Sequence, residues 1–424
     1  MEDGNKSGIK PTLRGIAIGF LALVAIFICY GAIMKNIRSH REASDPTPKY
    51  IFLFIGDGMG NSHVCAAESY LSWKAGKLGG EQLLFTQFPE LCMASTYSAD
   101  HQVTCSSASA TAFSSGVKTN NYSIGVDPEG KPTRAFSMDL HDRGYNIGIM
   151  SSVPINHATP AAFYGHNESR WGYYPLTLQI PDSGYEYFAS PGFIEFAGEE
   201  GGSQPSDEYL EEHGYTVCWG EDDLRANMDK PHVVLCHEKN RGKDATDYTT
   251  HYDSTQVSLR RMLELGIEYL GDEKPFFMMC EGGEVDWCAH ENTVYPMVQA
   301  IRRLDDAVRA AYEFYLAHPD ETLIVVTADH ETGGLAIGYN FNWQFSVQDW
   351  DKLEKQWVAD GCREAFADRG ERLRFQNDCG FGWTTNEHTG APVPVYAVGK
   401  GSERFNGRID NTRIPELILG HSIR

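Results

Sequence analysis

The fold is decided by Tyr50-Ile51-Phe52-Leu53-Phe54-Ile55-Gly56-Asp57-Gly58-Met59-Gly60, an unbroken apolar run that ends in a glycine-rich turn. Unbroken apolar runs of this length are typical of strands that are buried on both faces of a parallel sheet. Asp57 then lies at the carboxyl end of the strand, which is the edge where open α/β sheets bind ligands. The stretch therefore predicts both a central strand and a site beside it.

Two further strand-like runs end in acidic or imidazole groups. Phe276 to Cys280 leads into Glu281-Gly282-Gly283-Glu284-Val285-Asp286-Trp287-Cys288-Ala289-His290, and Leu323 to Ala328 leads into Asp329-His330. A lone His388 follows within Asn386-Glu387-His388-Thr389-Gly390. Any one of these groups has an ordinary explanation as a turn, a cap or a surface pair. Placement at three strand ends favours a metal site instead, and mixed carboxylate and imidazole ligands suit zinc.

A run of small hydroxyl residues supplies a candidate nucleophile. Thr104-Cys105-Ser106-Ser107-Ala108-Ser109-Ala110-Thr111-Ala112 predicts a helix over residues 106–115 that ends at Gly116. Such a run is also typical of a tightly packed helix start. A serine hydroxyl needs an adjacent base or metal to become a nucleophile, and a helix N-terminus attracts anions. Next to the acidic groups, Ser106 is therefore the candidate.

Strand-like and helical stretches alternate along the chain. This predicts a three-layer α/β/α fold with a central, mostly parallel sheet. Strands are predicted over residues 50–56, 146–151, 232–236, 276–280 and 323–327, and helices over 62–75, 106–115, 252–270, 297–318 and 347–358. Residues 49–424 form the predicted catalytic domain, with insertions near 195–230 and 340–385.

These motifs resemble the alkaline phosphatases, which are metal-dependent phosphomonoesterases. The resemblance runs in the same order from about Lys49 to about Thr412. Its segments are Ser106 to Ala112, Gly116-Val117-Lys118-Thr119-Asn120, His157-Ala158-Thr159-Pro160-Ala161-Ala162, Ser169-Arg170, Glu281 to His290, Thr327-Ala328-Asp329-His330 and Glu387-His388-Thr389-Gly390. The resemblance implies the fold of that family and hydrolysis of phosphate monoesters through a phosphoserine.

The resemblance also implies a role for each matched residue. Ser106 is the nucleophile and Arg170 clamps two phosphate oxygens, as a planar guanidinium can. Two zinc ions in such a site stabilise the attacking and leaving oxygens together. The implied ligands are Asp286, His290 and His388 for one zinc, Asp57, Asp329 and His330 for the second, and Asp57, Thr159 and Glu281 for a third metal, usually magnesium, with His157 as a possible neighbour of that third site.

Three positions depart from the commonest pattern of that family. Cys105 stands where an aspartate usually orients the phosphate-binding arginine, which predicts a less firmly held Arg170 and easier product release. His157 replaces an acidic residue and Trp287 replaces a lysine of some members, so the identity of the third metal stays open.

Three other activities compete with this hypothesis. A sulfatase needs Pro or Ala two positions after its modified Cys or Ser and Arg four positions after it, but Ser107 and Ser109 stand there. A catalytically silent metal- or phosphate-binding protein would lack a ligand or the nucleophile, and all are present. A phosphodiesterase is disfavoured because the two donors of Arg170 suit the two unesterified oxygens of a monoester.

The amino terminus predicts a membrane anchor. Residues 15–34 are 20 consecutive uncharged residues, about 30 Å as a helix and enough to span a bilayer. Residues 1–37 are therefore predicted to be a signal anchor, and residues 38–48 a polar linker. Export to the periplasm or another extracytoplasmic face is implied by the resemblance, and a cleaved signal peptide with a soluble enzyme is the alternative.

Composition limits the partners. The formal net charge of −22 argues against nucleic acid, which rewards basic surfaces. None of the cysteines shows a zinc-type Cys-x-x-Cys spacing, and disulfide connectivity cannot be deduced. The predicted partners are phosphate monoesters, the membrane and, by the resemblance, a second copy in a homodimer.

Overall fold

The computed structural model describes residues 45–245, 256–339, 347–359 and 368–422. The chain divides into Met1–Thr47 and Pro48–Arg424, and every element below belongs to the second unit. The predicted anchor at 15–34 and residues 38–44 of the predicted linker lie outside the described residues.

A ten-stranded sheet forms the centre of this unit. The described strands are β1 (Tyr50–Gly56), β2 (Glu90–Ser95), β3 (Asn146–Ser151), β4 (Tyr187–Ala189), β5 (Thr216–Trp219), β6 (Val233–Cys236), β7 (Phe276–Gly282), β8 (Thr322–Thr327), β9 (Glu331–Thr332), β10 (Leu335–Ile337), β11 (Phe381–Trp383), β12 (His388–Thr389), β13 (Val393–Gly399) and β14 (Gly407–Asp410). The strand order in the sheet is β14-β2-β13-β8-β1-β7-β3-β4-β6-β5. Two small antiparallel pairs are separate from it, β10 with β11 and β9 with β12.

The ten-stranded sheet is mostly parallel, as predicted. β13 is antiparallel to both of its neighbours, β2 and β8, while the other neighbouring pairs are parallel. β1 lies between β7 and β8, with Ile55 opposite Glu281 and Thr327. The carboxyl ends of these three strands therefore meet at one edge.

Most of the helices pack in two groups. The described α-helices are α1 (Asn61–Lys74), α2 (Ser106–Ser115), α3 (Phe136–Asp142), α4 (Ala158–Ala161), α5 (Tyr173–Thr177), α6 (Ile180–Ser183), α7 (Ser206–Glu212), α8 (Glu221–Ala226), α9 (Leu259–Leu270), α10 (Glu284–His290), α11 (Val294–Ala317), α12 (Val347–Ala359), α13 (Arg369–Asp378) and α14 (Ile414–Leu419). One group contains α1, α9, α10, α11 and α12, and the other contains α2, α3, α4 and α14.

The core covers both faces of the central strands. β1, β7 and β8 are buried at every position, and successive side chains of a strand point to opposite faces. On one face, Tyr50, Phe52 and Phe276 meet Phe314 of α11 with ring centroids 4.9 to 5.7 Å apart. Helices on both faces of the sheet give the predicted three layers.

The predicted elements agree with the structure at most places and differ at their ends. The helix over 106–115 and the strands over 50–56 and 146–151 match residue for residue. The helix expected over 252–270 begins at Leu259, because the Ser258 hydroxyl accepts a hydrogen bond from the Arg261 amide and caps it. The first four residues of that prediction, 252–255, lie outside the described residues.

Strands β5 and β13 were not predicted. The region 195–230, predicted to be an insertion, contains α7, α8 and β5, and β5 lies at the edge of the central sheet. This four-residue strand is too short to be recognised among acidic and glycine residues. β13 was missed because Pro394 argues against a strand. Its pairing with β8 runs from Tyr396 to Gly399, so Pro394 does not have to donate to that neighbour.

In the part of the chain that the structure describes, no helix is both long and apolar enough to cross a membrane. This finding does not extend to residues 15–34. The signal anchor accordingly stays a prediction.

The aromatic cluster gives a test of the core. Replacing Phe52 with Ala removes a fully buried ring and should lower the free energy of unfolding by about 3–5 kcal/mol, through lost burial and the cavity left behind. Leu316, which is 62% exposed at the end of α11, is the control, and its replacement with Ala should change stability by less than about 0.5 kcal/mol. Urea unfolding measures both, and equal losses would contradict this view of the core.

Candidate metal centre and active site

The turn after β1 brings Asp57 to the common edge of β1, β7 and β8. The Asp57 amide donates to the carbonyl of Gly282 at the end of β7, 3.2 Å away. The next residue, Gly58, has φ +72°, and a Cβ there would lie 2.9 Å from the Asp286 Cα. Glycine is therefore needed at position 58 for two segments of the site to approach each other.

Asp57, Asp329 and His330 form the first group of possible metal ligands. The His330 Nε2 lies 3.3 Å from Asp57 Oδ1 and 3.4 Å from Asp329 Oδ2. Asp329 Oδ1 accepts hydrogen bonds from the amides of Gly58 and His330, at 3.1 and 3.0 Å. Those bonds fix the carboxylate so that Oδ2 faces the group, and all three side chains are fully buried.

Asp286, His290 and His388 form the second group. Each histidine is oriented through Nδ1, which lies 2.6 Å from the Asn386 carbonyl in His290 and 2.8 Å from the Thr104 carbonyl in His388. The two Nε2 atoms are consequently directed at each other, 3.2 Å apart, and at the Asp286 carboxylate, 3.3 and 3.6 Å away. Lone pairs that converge in this way fit a cation between them.

Asp57 also belongs to a third group, with His157 and Glu281. Glu281 Oε2 accepts a hydrogen bond from the Ser151 hydroxyl on the neighbouring strand β3, and its Oε1 has no hydrogen-bond partner among the described residues. Thr159 is fully buried close by, and its Oγ1 likewise has no hydrogen-bond partner among the described residues. Oxygen atoms dominate this group, which suits a hard cation such as magnesium better than the second group does.

Thr332 joins the first two groups and was missed by the sequence analysis. Its hydroxyl donates to Asp286 Oδ1 over 2.5 Å and lies 3.2 Å from the Nδ1 of His330. With Nε2 of His330 facing the acidic group, Nδ1 can donate to Thr332 and orient the ring. The only sequence signal was proximity, since Thr332 stands two positions after His330 in β9.

Ser106 begins α2 next to the first group. The preceding residue, Cys105, is extended and serves as the N-cap, and Gly116 ends the helix with φ +71°. The Ser106 hydroxyl is buried and lies 3.3 Å from His330 Nε2. It therefore faces the group of possible ligands from the amino-terminal end of a helix.

Arg170 lies next to Ser106. Its Nη1 is 3.5 Å from the Ser106 hydroxyl and its Nη2 is 3.2 Å from His157 Nε2. The guanidinium also lies 5.3 Å from the ring of Trp171, and its Nε has no hydrogen-bond partner among the described residues. Two guanidinium nitrogens next to a serine hydroxyl form a suitable clamp for a phosphoryl group.

Cys105 acts on Arg170 through the backbone. Its Sγ accepts a hydrogen bond from the Tyr122 amide at 3.1 Å, and the Tyr122 carbonyl accepts one from the Arg170 amide at 2.6 Å. The thiol also lies 3.0 Å from the Ser107 hydroxyl. The side chain of Arg170 is held instead by His157 and Trp171, so the position before Ser106 supports the main chain of the clamp.

Burial of several acids together changes their ionisation. Burial, and then the charges of neighbouring acids, raise the pKa of Asp57 well above its ordinary value. The same causes raise the pKa of Glu281 to about 8 and that of Asp329 to about 7. Such a cluster is unstable when fully ionised unless a cation compensates it.

The second group already contains a compensating proton. Burial opposes ionisation of Asp286, but the hydrogen bond from His290 and the nearby histidines lower its pKa overall. Burial alone would lower the pKa of His290, whereas its bond to Asp286 raises it to about 9. A metal ion would displace this proton, because metal ligands bind in their deprotonated form.

Ser106, Arg170, the second group and His157 of the third group line a cleft of about 510 Å³. The other predicted site residues, Asp57, Thr159, Glu281, Asp329 and His330, are fully buried and do not line it. The lining residues are Val103, Thr104, Cys105, Ser106, Asn121, Tyr122, His157, Arg170, Trp171, Asp286, Trp287, His290, Glu387 and His388. Tyr122 and Trp171 were not predicted as site residues.

Comparison with known proteins identifies the family. The family model described as alkaline phosphatase matches residues 48–189 and 197–421. The chain belongs to the alkaline phosphatase family. It is therefore a phosphoric monoester hydrolase.

Individual alkaline phosphatases resemble this one over nearly their whole length. Alkaline phosphatase 4 of Bacillus subtilis is 30% identical over 97% of this chain and 96% of its own. The alkaline phosphatase of Escherichia coli is 27% identical over 87% of this chain and 85% of its own. The crystal structure of the enzyme from the Antarctic bacterium TAB5 superposes with a TM-score of 0.71 at 26% identity, covering 88% of this chain and 98% of that one, and a variant of it is described with magnesium in its M3 site.

The raised pKa values predict how this alkaline phosphatase responds to pH without metal. Glu281, Asp329 and His290 hold protons in the folded state at a pH where the unfolded chain has released them, so stability should fall as pH rises from about 7 to about 9. His330 and His388, whose pKa values burial lowers, are uncharged in both states over this range. The melting temperature in excess chelator should therefore decrease from pH 7 to pH 9.

Two controls accompany this measurement. Glu281→Gln removes a titrating carboxyl group, so the melting temperature of this variant in excess chelator should depend less on pH. Added zinc and magnesium should raise the melting temperature more at pH 9 than at pH 7, because protons compete less with the metals there. A chelated protein whose melting temperature rises from pH 7 to pH 9 would show that the acidic cluster does not control its stability.

Proposed function

We propose that this enzyme hydrolyses phosphate monoesters through a phosphoserine at Ser106, in a centre of two zinc ions and a third metal, magnesium or another divalent cation. The observation that carries the proposal is the position of the Ser106 hydroxyl, 3.3 Å from His330 Nε2 and within reach of Arg170. A serine hydroxyl is a weak nucleophile at neutral pH, and a cation bound by the ligand groups beside it would activate it.

The donor atoms fit this set of metals. The second group would hold one zinc and the first group the other, since both mix carboxylate and imidazole donors. Asp57, Glu281 and Thr159 would hold the third metal, with His157 beside it. When bound, the metals supply positive charge that lowers the pKa of a hydroxyl or water and neutralises a leaving oxygen.

The protein groups divide the reaction between them. Arg170 binds two unesterified oxygens of the phosphoryl group and directs the phosphorus toward Ser106. A bond forms between Ser106 Oγ and phosphorus while the bond to the alcohol oxygen breaks, and the serine proton is lost to solvent as the alcohol takes one up. Water then cleaves the phosphoserine, restoring the hydroxyl and releasing inorganic phosphate.

His157 orients the clamp in this scheme. Burial, and then the charge of Arg170, lower the pKa of His157 to about 3, so the ring is neutral at the pH of the reaction. Its Nε2 can therefore accept the hydrogen bond from Arg170 Nη2. A neutral acceptor leaves the full positive charge of the guanidinium for the phosphoryl group.

Export, the membrane anchor at residues 15–34 and a homodimer remain part of the proposal. They rest on the apolar segment and on the family, and a cleaved signal peptide is the alternative form. Amino-terminal sequencing of the mature protein distinguishes the two, because cleavage would remove the apolar segment.

Substitution of Ser106 tests the nucleophile. Ser106→Ala should lower kcat for an aryl phosphate by at least about a thousandfold and abolish covalent incorporation of labelled phosphate, while leaving the melting temperature near that of the wild type. Ser114 is a matched control, since it is buried in the same helix and donates locally to the Thr111 carbonyl. Covalent labelling that survives in Ser106→Ala, or is lost in Ser114→Ala, would reject the assignment.

Thr332 allows a test of the metal ligands that does not depend on turnover. Thr332→Val keeps the shape of the side chain but removes the hydroxyl that contacts Asp286 and His330. Loss of such an orienting bond typically weakens metal affinity by about 10- to 100-fold. Competition with a chromogenic chelator should show weaker zinc binding in Thr332→Val and nearly normal binding in Thr332→Ser.

The comparison between these two variants decides the role of the hydroxyl. Equal loss in both would point to packing around position 332, and unchanged zinc affinity in Thr332→Val would remove Thr332 from the metal centre. Tests of Ser106 are unaffected by either result.

A further inference from the structure

We infer that the mouth of the cleft contains a binding subsite for a planar aromatic leaving group, with Trp171 and Tyr122 as its specificity-determining residues. The inference rests on the proposed function and adds a substrate class to it. That class is phosphate monoesters whose alcohol carries an aromatic or heteroaromatic ring, such as an aryl alcohol or a nucleoside.

The direction of the reaction places the alcohol at this mouth. Ser106 is buried at the floor of the cleft, with Arg170 beside it. Attacking and leaving oxygens lie roughly in line across the phosphorus. The alcohol therefore points away from Ser106 and leaves through the opening.

Two large aromatic side chains are exposed at that opening. Trp171 is 59% exposed and Tyr122 is 54% exposed, and both line the cleft that contains Ser106. Their backbones are joined through the hydrogen bond from the Arg170 amide to the Tyr122 carbonyl. Exposed aromatic groups at the entrance of a site are typical of surfaces that stack on a planar ligand.

The ring of Trp171 is held in place before any ligand arrives. It contacts the Arg170 guanidinium at 5.3 Å and meets the ring of Tyr173 edge-on, with centroids 6.2 Å apart. The ring therefore has support on one side and a large free area for stacking. A ligand that stacks on it loses little entropy to ordering the protein.

Tyr122 has a backbone conformation that is unusual for its residue type. Its φ is +73°, a conformation that a bulky side chain rarely adopts. The Cys105 thiol and the Arg170 amide hold the backbone there through hydrogen bonds to the Tyr122 amide and carbonyl. The result is an aromatic ring presented to solvent beside the phosphate clamp.

The charges at the mouth of the cleft restrict which leaving groups can bind there. Glu387 is exposed on the rim beside His290. Among the described residues that line the cleft, Arg170 is the only lysine or arginine, and it is committed to the phosphoryl group. A neutral ring is therefore favoured over an alcohol that carries further phosphates.

The test compares substrates that differ in the leaving group. Trp171→Ala should lower kcat/KM for 1-naphthyl phosphate by about five- to tenfold, the usual value of an aromatic stacking contact. The ratio of kcat/KM for 1-naphthyl phosphate to kcat/KM for glycerol phosphate should fall by a similar factor, because any loosening of Arg170 by loss of its contact with Trp171 affects both substrates equally. Trp171→Phe should retain most of the preference, because it keeps an aromatic ring.

A second variant and a control guard against indirect effects. Tyr122→Asn removes the ring but keeps a residue that tolerates positive φ, and it should also reduce the preference for 1-naphthyl phosphate. Leu316 is an exposed apolar residue at the end of α11, and Leu316→Ala should leave kcat/KM unchanged for every substrate. Adenosine 5′-monophosphate shows whether the subsite also binds nucleosides. A parallel fall in its kcat/KM would mean that nucleosides bind there, and an unchanged value would mean that the subsite binds aryl alcohols only.

Three outcomes would overturn the inference. An equal loss for glycerol phosphate and for phosphate inhibition would show that Trp171 only supports Arg170. Unchanged kinetics in Trp171→Ala and Tyr122→Asn would show that neither ring contacts a leaving group. Loss of a dimer in these variants would show that the two rings contact a second copy of the chain instead. A wild-type enzyme that hydrolyses none of the substrates would contradict the proposed function itself.

Discussion

The structure depends on the burial of four acidic side chains at one edge of a parallel sheet. Asp57, Glu281, Asp286 and Asp329 are all inaccessible to solvent or nearly so, and their mutual repulsion opposes folding wherever they are ionised. Sheet order creates this situation, because β1 lies between β7 and β8 and each strand carries an acid at or just beyond its carboxyl end. The same convergence that costs stability gathers the possible metal ligands, so one set of residues governs both the stability of the fold and the proposed metal centre.

The surrounding contacts limit how far these acids can move apart. Backbone amides fix one oxygen of Asp329, the Ser151 hydroxyl fixes one oxygen of Glu281, and Thr332 fixes one oxygen of Asp286. Each of these three carboxylates thus has one oxygen held by a hydrogen bond from the protein, whereas neither oxygen of Asp57 has such a partner among the described residues. Such preorganisation is expected where binding must not require rearrangement.

Much of this could be predicted from the sequence, for physical reasons that differ between residues. The strands β1 and β7 are continuous apolar runs, so their ends, and hence Asp57 and Glu281, were visible in the sequence. His388 and Arg170 lie on short or irregular segments with no periodic signal, and they were placed only through the family resemblance. Thr332, Trp171 and Tyr122 could not be predicted in either way, since their importance comes from tertiary neighbours: a hydroxyl between two ligands, and two rings beside a clamp. β13 and the edge strand β5 were hidden by Pro394 and by short length, because pairing partners distant in sequence decided their conformation.

The position of β1 in the sheet has a consequence for how the enzyme is made. Both neighbours of β1, β7 and β8, lie more than 200 residues later in the chain, so this very hydrophobic strand leaves the ribosome long before either partner exists. Contacts of such sequence separation form slowly, and an unpaired apolar strand invites aggregation in the interval. The last member of the second group, His388, is synthesised later still. Biosynthesis must therefore protect a nascent segment near the amino terminus until almost the whole polypeptide has been synthesised, and the second group of possible metal ligands is complete only in the nearly finished chain.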